Sequence, residues 1–411
     1  MPTQQSDRPF DVVLVGATGY VGALIAEYMT KSYSDNELRW AIAGRSAAKL
    51  DALKGTLGER AGRVQTIVAD TADRRALDAL AAQTHVVLTT VGPYAKYGSE
   101  LVAACARAGT DYVDLAGEAP WIQRMIDAHQ KEAEASGARI VPCCGFDSIP
   151  SDLGVLFLND EVTKRTGAPC TAIKMRVKAM RGGASGGTIA SMMHMAEDAW
   201  TDSVTRDALT NPYALNPQGE RKGPRQPGLI PVTYDGDAGA WTAPFVMAAI
   251  NTRVVHRSNA LMNYAYGRDF KYDEAMMTGG PLLGAPAAVA LAGGMGIFGL
   301  AAAFSPTRAL LSTFLPKPGE GPTPEQRERG NFDLRFTGIA KNGRAFKARV
   351  TGDRDPGYGS TAKMIAEAAL CLRHVDRAEV AGGFWTPASA MGQRLIPRLT
   401  EKAGLTFEML N

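Results

Sequence analysis

The stretch D-V-V-L-V-G-A-T-G-Y-V-G-A-L-I, Asp11 to Ile25, decides how the first part of the chain reads. A short apolar run enters three glycines, Gly16, Gly19 and Gly22, and a helical pattern runs on from Tyr20 to Thr30. A strand covered on both faces is continuously apolar. Glycines after it let the chain turn tightly and let phosphate oxygens approach the backbone. The following helix adds free N–H groups and the positive end of its dipole. The loop Gly16, Ala17, Thr18, Gly19, Tyr20, Val21 and Gly22 therefore reads as a pyrophosphate cradle in the G-x-x-G-x-x-G form. Taken alone, such a loop could merely pack helix on strand, so its setting carries the weight.

That setting extends to about Gly145. Strand-like runs recur at Val12–Val15, Leu38–Ala43, Val64–Ala69, His85–Val91, Tyr112–Leu115 and Arg139–Cys144. Amphipathic stretches separate them, one placing Trp121, Ile122, Met125, Ile126 and His129 on a single helical face. A βαβ series of this kind predicts an α/β fold with an N-terminal Rossmann domain, a doubly wound parallel sheet.

After Ser148-Ile149-Pro150-Ser151-Asp152 the pattern changes. Pro150 and Asp152 suit the first turn of a helix. Beyond them Thr171–Met180 alternates with period two, and Pro231–Tyr234, Val246–His256, Phe332–Ile339 and Ala345–Val350 also read as strands. The expectation is a second α+β domain on a mainly antiparallel sheet, one that pairs with its copy in a homodimer. A helical pattern at Ser360–Leu372 reads as a return to the first domain. The boundaries are residues 1–150, 151–355 and 356–411. Leu315–Arg329, rich in Pro and Gly, reads as a surface loop.

Composition sets outer bounds. The chain has 411 residues, 45% hydrophobic and 21% charged, with a net charge of +3. That charge is too small, and the basic residues too scattered, for a nucleic-acid partner. Five cysteines without a Cys-x-x-Cys pair, and five scattered histidines, predict neither disulfides nor a metal site. A reducing, cytoplasmic compartment fits. One segment stands apart: Ala275 to Thr307 holds no charged residue and is dominated by Ala and Gly. A buried or interface helical hairpin is the first reading, peripheral contact with a membrane or lipid surface the second, a true span the third.

The nucleotide is read from the end of the second strand, A-G-R-S. An NAD enzyme places a carboxylate there for the ribose 2′-OH. Gly44, Arg45 and Ser46 offer instead a guanidinium fork and a hydroxyl, with Lys49 a turn further on. This suits the 2′-phosphate of NADP(H). Asp70, ending the third strand, falls near the adenine. Val91, Gly92, Pro93 and Tyr94 end the fourth strand, where ligands bind in such sheets.

T-T-V-G-P-Y (89–94), D-Y-V-D-L-A-G-E (111–118) and C-G-F-D-S-I-P-S-D-L-G (144–154) resemble the saccharopine dehydrogenase-like oxidoreductases. S-G-G-T (185–188), N-T-R-V-V-H-R-S-N-A (251–260), A-Y-G-R (265–268), P-K-P-G-E-G-P (316–322) and T-P-A-S-A-M-G (386–392) resemble their mycobacterial trans-acting enoyl reductase branch. The resemblance implies NADPH-dependent reduction of an enoyl bond on a lipid or polyketide-type acyl chain, carrier-bound and held by a separate polyketide synthase.

Enoyl reduction needs a hydride at the β-carbon, a polarised carbonyl and a proton for the α-carbon. No Tyr-x-x-x-Lys pair follows the fourth strand, since Gly98 and Leu101 fill the fourth places after Tyr94 and Tyr97. Candidate donors are Tyr94, Tyr97, Asp147 and Ser148, the last two equally readable as a helix cap. Glu118 could hold a hydroxyl of substrate or ribose. Cys143 and Cys144 read as buried strand residues. A second glycine-rich turn, Gly182 to Thr188, and the Met-bearing helix after it (Ile189, Met192, Met193, Met195) suit a chain-like substrate or ordinary packing. Two other functions stay open. One is imine or ketone reduction of the saccharopine type, served by an arginine cluster if Arg176, Arg181, Arg253 and Arg257 converge. The other is a non-catalytic NADPH-binding, lipid-associated protein.

Overall fold

The computed structural model describes residues 8–34, 36–182, 202–227, 232–303, 307 and 321–411. The chain divides into two compact units. The first comprises residues 1–116, 124–146 and 358–403; the second comprises 117–123, 147–357 and 404–411.

The first unit is built on one sheet of seven strands: β1 (Phe10–Val15), β2 (Trp40–Gly44), β3 (Gln65–Val68), β4 (Thr84–Thr89), β5 (Asp111–Val113), β6 (Arg139–Val141) and β13 (Gly383–Phe384). Their order is β13-β6-β5-β4-β1-β2-β3 and every pairing is parallel. The order reverses between β1 and β4, the doubly wound arrangement in which ligands bind beyond the strand ends. β4 is buried along its whole length. At the edge β3 is largely exposed, which is why its apolar run is the weakest. Helix α1 (Tyr20–Ser32) covers one face through Ile25, Ala26 and Met29.

The helix Thr361–His374 packs on β4 and β5. Its C-terminal end is held by charge. Arg139 is fully buried, pairs with Asp111 at 2.5 Å, and donates to the carbonyls of Leu372 and Val375. Arg377 donates to the same Asp111 at 3.0 Å. Satisfying every polar atom is what makes a buried pair tolerable. Within the helix, Glu367 is fully buried and is matched by Arg398 at 2.8 Å and the hydroxyls of Tyr28 and Tyr33.

The second unit carries the other sheet: β7 (Ala172–Arg181), β8 (Thr233–Asp235), β9 (Ala240–Pro244), β10 (Lys271–Gly279), β11 (Asn331–Ile339), β12 (Ala345–Gly352) and β14 (Leu405–Leu410). The order is β14-β12-β11-β7-β10-β9-β8. β7 and β10 run parallel, and all other neighbours are antiparallel. The helix Ile149–Thr166 lies against β11 and β12. Gly154 is essential to that contact, since a Cβ there would meet the Phe336 ring at 2.3 Å.

Three expectations are corrected. Val246–His256 is not a strand: Val246 and Met247 form a turn, and the rest lies in the helix Ala248–Leu261. It is buried on nearly every side, so it shows no amphipathic period, and its β-branched residues mimic a strand. The uncharged segment is neither buried nor a hairpin among the described residues. Ala275–Gly279 closes β10, and one largely exposed helix, Gly284–Ala303, follows. Finally, the end of the expected surface loop is the short helix Pro324–Arg329, opened by a capping box between Thr323 and Gln326. Gly183 to Thr188 and the Met-bearing segment Ile189–Met195 lie outside the described residues.

Candidate functional site

In the first unit the glycine loop sits beyond the end of β1. Gly16 has φ +85°, and a Cβ there would meet Val91 Cγ2 at 2.7 Å. A Cβ on Gly22 would lie 2.2 Å from the Gly16 carbonyl oxygen, so only glycine lets α1 approach the loop. Gly19 caps α1 without any side-chain hydrogen bond. Ala17 is buried, Thr18 and Gly19 are exposed, and Tyr20 and Val21 are half-buried. The first turn of α1 thus presents its N–H groups to whatever occupies the loop, the arrangement that receives a pyrophosphate.

At the end of β2, Gly44 is buried and Arg45 exposed, with no ion pair to it among the described residues. Ser46 caps α2 (Ala47–Thr56), its Oγ accepting from the Lys49 N–H at 3.4 Å. Asp70 is exposed and accepts from the Ala72 N–H at 3.0 Å. Val91 is half-buried and Gly92 exposed, ahead of Pro93. These residues fit a dinucleotide: a cradle that Cβ atoms would fill, an uncapped helix end, and a free guanidinium where a 2′-phosphate would lie.

The candidate acids fare differently. Tyr94 is buried, its hydroxyl donating to Thr89 O at 3.3 Å and accepting from the Leu115 N–H at 3.0 Å. That phenol braces the ends of β4 and β5. Tyr97 is 49% exposed. Asp147 is half-buried. Ser148 is fully buried and makes no side-chain cap; its Oγ donates to Asn251 Oδ1 at 3.0 Å. Cys143 and Cys144 are buried, with thiols directed at backbone carbonyls. Glu118 is buried as well.

Ser148 opens onto a network that the sequence reading missed, wholly within the second unit. Asn251 Nδ2 donates to Ser151 Oγ at 3.0 Å and to Glu274 Oε2 at 2.9 Å. Tyr272 donates to Glu274 Oε1 at 2.6 Å. Burial pushes the Glu274 carboxyl up to about 7 against these donors. Glu274 and Tyr272 line a cavity of about 640 Å³ together with Thr252, Arg253 and His256. The signal was Asn251 in N-T-R-V-V-H, singled out only as a motif, while Glu274 in K-Y-D-E-A has no local mark.

The four arginines do not converge on that cavity as free cations. Arg176 is buried between Asp235 at 2.7 Å and Asp273 at 2.5 Å. Arg253 donates to the carbonyls of Ala208 and Ala249, and Arg257 to that of Leu215. Arg181 ends β7, exposed. No group of metal-ligating side chains exists among the described residues.

Residues 12–141 match the saccharopine dehydrogenase NADP binding domain. A relative from Mycobacterium tuberculosis is 43% identical over 98% of this chain and 97% of its own length. The trans-acting enoyl reductase of Mycobacterium bovis is 40% identical, covering 96% of both chains. The chain belongs to the trans-acting enoyl reductase family. The family's member in Mycobacterium leprae is 39% identical over 95% of this chain and 96% of its own. Among solved structures, saccharopine dehydrogenase (L-Glu forming) from Saccharomyces cerevisiae shares the fold, with a TM-score of 0.53 at 14% identity over 98% of this chain and 100% of that one. Homospermidine synthase from Legionella pneumophila shares it too, with a TM-score of 0.54 at 10% identity over 98% of this chain and 91% of that one. This family member is therefore an NADP-dependent oxidoreductase of the saccharopine dehydrogenase fold.

Proposed function

We propose that this chain reduces the carbon–carbon double bond of an enoyl thioester on a lipid or polyketide-type acyl chain, with NADPH as reductant. The observation that carries this reading is near-full-length identity to proteins named trans-acting enoyl reductases. The pyrophosphate would lie on Gly16–Gly22 and the 2′-phosphate against Arg45, with Asp70 toward the adenine. Bound NADPH supplies the hydride for the β-carbon. The α-carbon needs a proton, and Glu274 is the candidate to hold it, at a value near neutral, in the wall of a cavity with room for an acyl chain. Among the candidates read from sequence, Ser148 enters through Asn251 as a positioning residue, while Tyr94 has its hydroxyl occupied by backbone. A carrier-bound substrate and a polyketide synthase partner complete the proposal. A reducing cytoplasm suits its five buried, unbridged cysteines. For the expected homodimer, β8 and β14 are the edge strands of the second sheet among the described residues.

The saccharopine-type alternative draws no support from Arg176, which is already neutralised by two aspartates, and rests instead on Arg221, Lys222 and Arg225, which line the same cavity and could meet substrate carboxylates. Loss of reduced nicotinamide, followed with enoyl thioesters, ketones and imines, tests the reading. Turnover of enoyl thioesters alone is expected. Turnover confined to imines or ketones would replace the proposal, and none with any class would favour the non-catalytic function. For the cofactor, Arg45→Ala should weaken NADPH about 10–100-fold, the worth of a charge-assisted contact, and leave NADH unchanged. An equal loss for both would remove Arg45 from the 2′-phosphate.

A further inference from the structure

The helix Gly284–Ala303 is the least explained element of the second unit. Gly284 to Ala302 has a mean hydropathy of 1.7, and only 11% of it is buried. No residue from Ala275 to Thr307 is charged. Val289, Ile297 and Leu300, each at least 60% exposed, project on one side of the helix. The opposite side carries the half-buried Leu291, Met295 and Phe298. A helix that docks on its own domain, or on one partner, keeps a polar face toward water. This one has none. Leu282 and Leu283, just before it, are 92% and 83% exposed. Exposed apolar area of this extent marks an interaction surface.

We propose that this helix inserts into one leaflet of a lipid bilayer from the side on which the second sheet lies. Three observations select lipid over a second copy of the chain. The side bearing Leu291, Met295 and Phe298 is partly covered by the chain itself, with Ala288 and Ala302 buried, and the exposed side has no polar residue to form the rim that surrounds a protein–protein contact. Its base carries the residue types found at a membrane interface: Tyr234, 42% exposed, and Trp241 form an edge-on pair with centroids 5.9 Å apart. Trp241 faces Gly279 across β9 and β10, and its indole donates to the Pro281 carbonyl at 3.1 Å, tying the ring to the start of the helix. At the same end of the sheet β7 presents Met180, 38% exposed, between the exposed basic side chains of Lys178 and Arg181. Those cations complement anionic headgroups.

Sheet topology excludes a single crossing. β10, which feeds the helix, and β11, which takes the chain back, both flank β7. Asn331, the first residue of β11, pairs with Arg181, the last of β7, and β7 runs parallel to β10. The chain therefore leaves and re-enters the sheet at one end. A bilayer span takes about 20 apolar residues. Only eight, residues 309–316, separate Arg308 from Lys317 on the way back. With both ends on one side, the helix lies along the headgroup and acyl boundary rather than through the membrane.

The test is flotation of the full chain with phosphatidylcholine vesicles, with and without phosphatidylglycerol. The wild-type chain should float, more strongly with the anionic lipid. The double variant Ile297→Glu, Leu300→Glu should remain unbound while keeping its NADPH affinity, which shows that it folds. Absence of binding by the wild-type chain, or flotation of the double variant, overturns the proposal. So does a wild-type dimer that the double variant converts to monomer without vesicle binding, since that assigns the helix to a second copy. The five native cysteines are buried, so Thr307→Cys can be labelled alone with a nitrobenzoxadiazole fluorophore on vesicle-bound protein. Externally added dithionite should bleach it. A label protected until detergent is added would establish a crossing and overturn the one-leaflet placement.

Discussion

At the scale of single residues, Glu274 makes the sharpest claim. Its carboxyl is buried, and burial raises it from 4.5 to about 7 although Tyr272 and Asn251 both donate to it. In the unfolded chain it ionises near its ordinary value, so between the two values the folded state holds a proton that the unfolded chain has released. Stability then falls as pH rises through that window and levels off above about 7. Glu274→Gln should remove this slope in thermal melts taken across the window, and an unchanged slope would assign it to another group. If the same proton reaches the α-carbon, wild-type kcat falls as pH rises through about 7. The Gln variant should then lose about 100-fold or more at low pH and show no such limb. A variant that loses stability but keeps both rate and profile would make Glu274 purely structural. Asn251→Ala, which would leave Ser148 Oγ and Glu274 each short of a partner, should shift the profile without abolishing turnover.

At the scale of elements, what the sequence disclosed depended on how local the cause was. Gly16, Gly19 and Gly22 could be read because a tight turn and a close helix approach demand glycine within seven residues. β1 and β4 could be read because burial on both faces leaves an uninterrupted apolar run. The helix Ala248–Leu261 could not, because its polar residues face inward: Asn251, Arg253 and Arg257 are buried and paired with groups far away in sequence. The same holds for Arg139, whose partner Asp111 lies 28 residues earlier. Nothing in D-Y-V or A-R-I-V announces that pair, yet it fixes the end of the helix Thr361–His374. Asp111→Ala would strand Arg139 and Arg377 without their carboxylate. Breaking a buried pair from one side costs about 3–5 kcal/mol, to be read as a drop in the denaturant midpoint at unchanged m-value. A change below about 1 kcal/mol would mean that the backbone carbonyls alone hold Arg139.

At the scale of the whole molecule, the chain keeps its two chemistries in different units. The residues proposed for nucleotide recognition, Gly16–Gly22, Gly44–Ser46 and Val91–Tyr94, all belong to the first. The exposed apolar helix belongs to the second. Hydrogen exchange along the full chain separates them, because each ligand acts on amides for its own reason. N–H groups in the first turn of α1 have no side-chain cap, and phosphate oxygens would become their acceptors. NADPH should therefore slow exchange at residues 17–23 and 44–49. Amides of Gly284–Ala303 already bond within the helix, and only removal of water slows them further. Anionic vesicles should slow this stretch and leave residues 17–23 unchanged. If NADPH alone slowed both, the helix would be coupled to the nucleotide, and membrane contact would depend on cofactor loading. If vesicles slowed neither while NADPH slowed the first, cofactor binding would stand and the lipid contact would fall.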